Sequence, residues 1–401
     1  MSHDPSDVEL GQQVAETLSV PRRDRADSFV LHAPLELLAR LALLPRVRPE
    51  HRAAARDRIH GIGTRFDAFG PPIDPGLPTS FDSASAAATR LLDAIDRKEL
   101  ADADSSAGWL GEHVTPTGLG RLLGDALAPR LAAAGHAPIF LMHWPRVSPR
   151  GELTATMMRQ LVRGLAQSPE LRIGWIGRPT PRGEGNGASL SSVLGTTPPL
   201  GPPEVDFIDP IMDRVDHDET AARLAPVTLG GDPSGRGAAA REIQRVAAWS
   251  MVLEPGAAAP YLWSHCLTMP QAVLSLLPVS ADPGRVLAVA ATHVTGFRAA
   301  YATKALAARY DVPAPELPLR DALDSGQELA TAVAWHTHPE HRPALIDELV
   351  QRAAVHEDAH LVKYTLACLD AAASDPDAAR LYLTAAASLS GWWSTNSDPT
   401  A

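Results

Sequence analysis

The stretch from Ala344 to Asp370 constrains the fold most, because its apolar positions recur with the period of an α-helix. Six positions spaced alternately four and three residues apart share one helix face. They are Leu349, Ala353, His356, His360, Lys363 and Ala367. The second half of the stretch is apolar on nearly every side, as in a helix buried in a core. We therefore predict one long helix over 344–370 that carries His360 and Lys363, one turn apart, into the protein.

Lys363 is unusual in this chain. Of the 36 Lys and Arg residues, only Lys98, Lys304 and Lys363 are lysines. An arginine side chain keeps its proton in a protein, whereas a desolvated lysine can become a neutral amine that reacts or binds. A lysine beside a histidine on an apolar helix therefore indicates chemistry. The alternative is a structural lysine that reaches solvent or pairs with Glu357 or Asp358.

The pattern of apolar segments predicts the fold class. A hydrophobic fraction of 45% in 401 residues is enough for a sizeable core. Proline, glycine and aspartate separate the helical segments, and only PIFLMHW and RIGWIG have a strand-like composition. We expect an all-α protein, a single large helical-bundle domain with long Gly/Pro-rich loops and little or no strand. Its predicted parts are a loose leader at 1–26, a domain at 27–393 with an irregular loop at about 177–240, and a tail at 394–401.

The net charge and the cysteine content limit the binding partners and the cellular compartment that we expect. A net charge of −11 and a pI near 5.7 argue against a nucleic-acid or anionic-membrane surface. Cys266 and Cys368 lie in apolar segments without the spacing of a zinc site, which fits a reducing compartment. The first residues lack a basic-then-apolar signal, and charge or proline interrupts the apolar runs. We expect a soluble cytoplasmic protein with no nucleic-acid or membrane partner.

Several histidines lie in apolar helical segments rather than on charged faces. They are His32, His136, His265, His293 and His360. A single such histidine is more often a core residue bonded to a carbonyl. Several of them on different helices favour a metal site, because helical bundles build such sites from inward side chains. Neutral imidazole suits iron, copper, zinc and nickel.

Other motifs narrow the choice of chemistry. The chain has no GxSxG elbow of a serine hydrolase and no flavin fingerprint. The glycine-rich stretch at 230–237 lacks the Lys-Ser or Lys-Thr ending of a nucleotide loop, so a flexible loop is the better interpretation. HTHPEH at 336–341 is interpreted as a solvated helix entry in preference to a surface metal-binding loop. Any redox chemistry then comes from a metal or from the substrate.

Four blocks, in this order along most of the chain, resemble the questin oxidase-like family. They are HAPLELLARLALL, GHAPIFLMHW, SHCLTMPQAVLSLLP and DAHLVKYTLACLDAAASDPDAARLYLTAAASL. The third block is similar to a His-x-x-Thr stretch of the family, and the fourth is similar to its Asp-x-His-x-x-Lys helix. The loop near 177–240 matches only in length and in the order of helices. The resemblance implies an all-helical fold.

The resemblance also implies an activity. Members are oxygenases of secondary metabolism that oxidise or open aromatic polyketides such as anthraquinones, some by a Baeyer–Villiger-type reaction with NADPH. It implies a non-heme Fe(II) ion, dioxygen and an aromatic small molecule as the reacting partners, and a lysine carboxylated by carbon dioxide as one ligand. The implied metal ligands are His32, His136, His265, His360 and Lys363, with His143 or His293 as alternates to His136. His265, His360 and Lys363 are the implied catalytic residues.

Two questions stay open in the sequence. Four aromatic residues are candidates for stacking on a flat substrate, and they are equally compatible with a plain core. They are Trp144, Trp263, Phe297 and Tyr364. The oxygenase also has two rivals on the same scaffold: a metal-free binding protein, and a non-redox cyclase or hydrolase with His265 as general base.

Overall fold

The computed structural model describes most of the chain. The described residues are 5–24, 27–73, 80–149, 151–174, 189–202, 204, 208–215, 223–224, 232–254, 256, 258–303, 305–306 and 309–396. Within these ranges the protein has 18 α-helices and no β-strand, and its extended pairing amounts to two isolated bridges. The expected all-α fold is confirmed.

Contacts divide the chain into two compact units. The first is Met1–Ile173 with Ser275–Asp282, and the second is Gly174–Leu274 with Pro283–Ala401. The domain boundaries proposed from the sequence stay predictions. Parts of the leader, of the loop at 177–240 and of the tail lie outside the described residues.

The first unit contains eight of the described α-helices. They are α1 Asp7–Leu18, α2 Ser28–Leu43, α3 Pro49–Asp67, α4 Ala84–Asp96, α5 Leu100–His113, α6 Pro116–Leu127, α7 Ala137–Val147 and α8 Arg159–Gln167. Helix α2 begins after Asp27, whose carboxylate accepts the N–H of Val30 at 2.8 Å. It packs against α3 and α7. His32 lies one turn into α2, so the position of the cap determines the direction in which the His32 side chain points from the helix.

The strand-like composition of PIFLMHW is misleading. These residues form most of α7, with Pro138 in its first turn, where proline's missing N–H costs nothing. A short apolar run fits a buried helix as well as a buried strand, and here the structure shows a largely buried helix. The strand-like composition of this run therefore does not correspond to a strand, in agreement with the predicted all-α fold. Of RIGWIG, Arg172 forms an isolated bridge with Arg130, and the residues from 175 on lie outside the described ones.

Helix α2 also bears on the membrane question. The segment Ser28–Arg46 is long and apolar enough to cross a membrane by length and composition, although 72% of the window is buried inside the protein. It contains an ion pair between Glu36 and Arg40, one turn apart and both buried, with 2.6 Å between oxygen and nitrogen. The charged residues and the prolines within Ser28–Arg46 therefore do not reduce the apolar segment below the length needed to cross a membrane. A buried core helix passes the same test, so the observation is weak evidence for a membrane span.

The second unit contains the other ten described α-helices. They are α9 Leu190–Gly195, α10 Ile208–Asp213, α11 Pro233–Leu253, α12 Ser264–Leu274, α13 Pro283–Tyr301, α14 Leu319–Asp324, α15 Gln327–His336, α16 Arg342–Val355, α17 Ala359–Ser374 and α18 Ala379–Thr395. Helix α12 packs against α11, α13 and α17. Helix α17 also packs against α16 and α18, so it is enclosed by its neighbours.

The single helix predicted over 344–370 was wrong, because the structure divides it into α16 and α17. His356 has an extended backbone (φ −66°, ψ 149°) and ends α16. Asp358 then caps α17, its carboxylate accepting the N–H groups of His360 and Leu361 at 2.7 and 3.3 Å. The predicted burial is confirmed, since His360 and Lys363 are 7% and 3% exposed on α17.

A close approach of α18 to α15 depends on glycine. A Cβ atom at Gly391 would lie 2.5 Å from the Cβ of Ala330 and 2.7 Å from the carbonyl oxygen of Gly326. Gly326 itself has φ +109°, a conformation that favours glycine. Because α18 also packs on α17, this contact helps to fix the helix that carries His360 and Lys363.

Candidate functional site

His265 is oriented by the turn that precedes its helix. It lies in the first turn of α12, directly after a π-helical turn at Ala259–Trp263. The carbonyl of Tyr261 contacts Nδ1 of His265 within hydrogen-bond distance. A carbonyl oxygen can only accept, so Nδ1 carries the proton. The lone pair of the neutral ring is therefore on Nε2, the nitrogen that would bind a metal.

His360 is oriented by the carboxylate that caps its helix. Its Nδ1 lies 3.3 Å from Oδ2 and 3.2 Å from Oδ1 of Asp358. Burial alone would raise the pKa of Asp358. The positive charges of His360 and Lys363 and the hydrogen bonds to His360 outweigh this effect and lower the pKa to about 2. The carboxylate is thus ionised at neutral pH and accepts the proton of Nδ1. In the neutral form of His360, the lone pair is then on Nε2.

The two histidines lie side by side. Their ring centroids are 4.9 Å apart with the rings nearly perpendicular, and a ligand nitrogen of one lies within 4.8 Å of a ligand nitrogen of the other. Burial lowers the pKa of His265 well below its usual value, and the charges of His360 and Lys363 lower it further. His265 is neutral at neutral pH, which is the form that binds a metal ion.

Lys363 belongs to the same cluster. It lies one turn after His360 on α17, and its side chain is buried. Its charge lowers the pKa values of both His265 and Asp358, so it lies within electrostatic reach of each. The structure thus brings together the three residues predicted to be catalytic. The attraction between Lys363 and Asp358 also agrees with the structural alternative for this lysine.

The aromatic surroundings of the pair were missed in the sequence. The ring of Tyr261 meets His360 edge to face, with 4.8 Å between ring centroids and 85° between planes. The ring of Trp393 contacts Tyr261 at 6.4 Å and His356 at 5.0 Å, measured between ring centroids. Asp358 could have been found, because an aspartate before an apolar helix is a cap signal. Tyr261 has no comparable signal.

In the first unit, the structure brings together His32 and His136. Their ring centroids are 4.4 Å apart, and both residues are buried. Nδ1 of His32 lies 2.7 Å from the carbonyl oxygen of Ser28, so this ring too has its lone pair on Nε2. His143, an alternate ligand, is buried further along α7.

His293, the other alternate, is a buried residue of α13 in the second unit. Burial lowers its pKa to about 4, so the ring is neutral at neutral pH. Its Nδ1 has no hydrogen-bond partner among the described residues. The choice among His136, His143 and His293 as fourth histidine ligand stays a prediction.

The four aromatic candidates for substrate stacking are deeply buried. Trp144, Trp263 and Phe297 are each 1% exposed and Tyr364 is 0% exposed. The indole N–H of Trp144 donates to the carbonyl of Leu153 at 3.1 Å. This burial favours the plain-core interpretation, and their role in substrate binding stays a prediction.

Two other motifs take ordinary places in the fold. In HTHPEH, Oε1 of Glu340 lies 3.5 Å from Nδ1 of His338 and 3.5 Å from Nε2 of His341, with all three side chains exposed before α16. In the glycine-rich stretch, Asp232 caps α11 through the N–H of Gly235, and residues 230–231 lie outside the described part of the chain. Neither position contributes a buried group.

No known protein family, curated protein or solved structure matches this chain. The resemblance to questin oxidase-like proteins, and the ligand set that it implies, stay predictions.

Proposed function

We propose that the protein is a cytoplasmic oxygenase in which a set of histidines and Lys363 hold a non-heme Fe(II) ion and an aromatic small molecule is the substrate. The observation that carries this proposal is the matched anchoring of His265 and His360. Each ring has its Nδ1 against an oxygen acceptor, and the ligand nitrogens of the two rings lie within 4.8 Å of each other. Such outer contacts are typical of metal-binding histidines.

The donor set fits a redox-active ion. His265 and His360 offer neutral imidazole nitrogen, and Lys363 would supply an anionic oxygen once its neutral amine has combined with carbon dioxide and released a proton. Bound iron would supply the activation of dioxygen. His32 and His136, the other members of the implied ligand set, enter the proposal through the resemblance alone.

The chain's own residues would hold the site ready. The carboxylate of Asp358 keeps the proton on Nδ1 of His360, and the carbonyl of Tyr261 keeps the proton on Nδ1 of His265. Burial of His360 and Lys363 excludes water from their side chains. The ligands then need little rearrangement when a metal ion binds.

The rival enzyme has less support. A general base works best when its pKa lies near the operating pH. Burial holds the pKa of His265 well below its usual value, which suits a neutral ligand better than a base. A metal-free binding protein would keep His360 and Lys363 buried beside the half-buried Asp358, and charged groups are costly to bury.

Oxygen uptake tests the proposal. Protein loaded anaerobically with Fe(II) is given dioxygen and a panel of anthraquinones, with and without NADPH. We expect substrate-dependent oxygen uptake by the wild type and its loss in His360→Ala, whereas His341→Ala, at an exposed histidine, retains it. Substrate conversion without oxygen uptake would support the hydrolase or cyclase. Substrate binding without conversion would support the binding protein.

A further inference from the structure

Tyr261 contacts both histidines of the second unit through two different groups. Its backbone carbonyl lies against Nδ1 of His265, and its ring meets His360 edge to face at 4.8 Å between ring centroids. One residue therefore bears on the tautomer of one histidine and on the ring orientation of the other.

The first of these contacts follows a π turn. In a regular α-helix, the carbonyl of Tyr261 would accept the backbone N–H four residues on, that of His265. Here the N–H groups of Trp263 and Ser264 donate five residues back, to Ala258 and Ala259. This change of register directly precedes His265, and the Tyr261 carbonyl contacts both the backbone N–H of Ser264 and the imidazole. Single π turns are frequent at functional sites.

A second aromatic residue contacts the ring of Tyr261 that meets His360. The planes of Tyr261 and His360 are 85° apart, an arrangement that aromatic pairs prefer. Trp393 meets Tyr261 at 83° with 6.4 Å between ring centroids, so the phenol ring contacts both Trp393 and His360. Asp358 contacts Nδ1 of His360, and the ring of Tyr261 is a further contact that would limit rotation of the imidazole.

We propose that Tyr261 is a positioning residue for His265 and His360, acting through its carbonyl on the first and through its ring on the second. The effect of this positioning on metal binding rests on the proposed function. The placement of the two rings does not, because it is a property of the ligand-free protein.

The test compares four variants with the wild type. Tyr261→Ala removes the ring and Tyr261→Phe retains it. Tyr261→Leu fills most of the volume without a ring, in case the alanine variant does not fold. Leu262→Ala is the matched control, a half-buried neighbour in the same π turn. The readouts are NMR of the histidine ring nitrogens in ligand-free protein, and the dissociation constant for Co(II).

We expect the spectrum of the wild type to show His265 with its proton on Nδ1. In Tyr261→Ala and Tyr261→Leu the His360 ring signals should shift and Co(II) affinity should fall by about tenfold to hundredfold, the usual effect of losing an outer-shell contact. Tyr261→Phe and Leu262→Ala should match the wild type in both readouts.

Three results would overturn the inference. They are a wild-type His265 protonated on Nε2 alone, unchanged His360 signals in the ring-less variants, and an equal change in Leu262→Ala. If the wild type binds no Co(II), the proposed function loses its support, and the histidine spectra still decide whether Tyr261 positions the rings.

Discussion

The carboxylate of Asp358 contacts His360 at two places. Oδ1 accepts the backbone N–H of His360 at 2.7 Å, and Oδ2 lies 3.3 Å from Nδ1 of its ring. One side chain thus starts α17 and orients the histidine on it. The capping role and the orienting role can be separated by mutation, because only the second depends on the negative charge.

Asp358→Asn should weaken metal binding without unfolding the protein. Asparagine caps a helix about as well as aspartate, so α17 keeps its start. The ring of His360 loses its charged partner, and we expect the affinity for Co(II) to fall by about tenfold to hundredfold. Competition with a chelator measures it. Asp232→Asn, at the cap of α11 in the same unit, is the control and should bind like the wild type. Equal losses in both variants would contradict the orienting role.

The ion pair of Arg245 and Asp375 should contribute to stability. Nε and Nη2 of Arg245 lie 2.7 and 2.6 Å from the two carboxylate oxygens, and the hydroxyl of Tyr382 donates to Oδ2 at 3.2 Å. Asp375→Asn should lower the free energy of unfolding at neutral pH by about 1.5–3 kcal/mol, the range for hydrogen bonds to a charged group. Urea unfolding measures it. Asp377→Asn, at an exposed position, should change it by less than about 0.5 kcal/mol.

The same pair predicts a pH dependence. The hydrogen bond from Arg245 lowers the pKa of Asp375, and burial opposes this shift. A lowered folded-state pKa adds stability that is complete above the unfolded carboxyl pKa of about 3.9 and is lost as the pH falls through the folded value. The difference between the wild type and Asp375→Asn should therefore shrink below about pH 4. A difference that grows at acid pH would contradict this assignment.

Both cysteines should be unreactive in the folded protein. Cys266 and Cys368 are free and buried. Burial raises the pKa of Cys266 to about 12 and raises that of Cys368 as well, so almost no thiolate is present at neutral pH. A thiol reagent should label neither residue in native protein and both after unfolding in guanidinium. Rapid labelling of native protein would contradict the observed burial.

The sequence predicts the burial of His360 and Lys363 better than it predicts the geometry of the helices around them. The apolar surroundings of His360 and Lys363 identify a buried helix face, and this was confirmed. The break between α16 and α17 was missed because the four-and-three spacing continues through His356, where α16 ends, and Asp358 starts a new helix that keeps His360 and Lys363 buried. Local capping competed with periodicity, and capping decided the boundary.

Other features depend on tertiary contacts that residue types do not record. The role of Tyr261 depends on its ring contact with His360, and no sequence pattern comparable to a cap predicts that contact. The apolar composition of α7 identifies a buried segment but not its conformation. Trp144 and Trp263 are recognisable as core-type residues, yet only coordinates show that both are 1% exposed.

The most direct test of the account is the metal content of untagged protein by mass spectrometry, wild type beside Lys363→Ala. Lys98→Ala is the matched control, since Lys98 is an exposed lysine 3.1 Å from a carboxylate oxygen of Glu170. We predict near-stoichiometric iron in the wild type and in Lys98→Ala, and its loss in Lys363→Ala. No bound metal in the wild type, even after anaerobic loading with Fe(II), would contradict the iron oxygenase and leave His265 and His360 as acid–base or core residues.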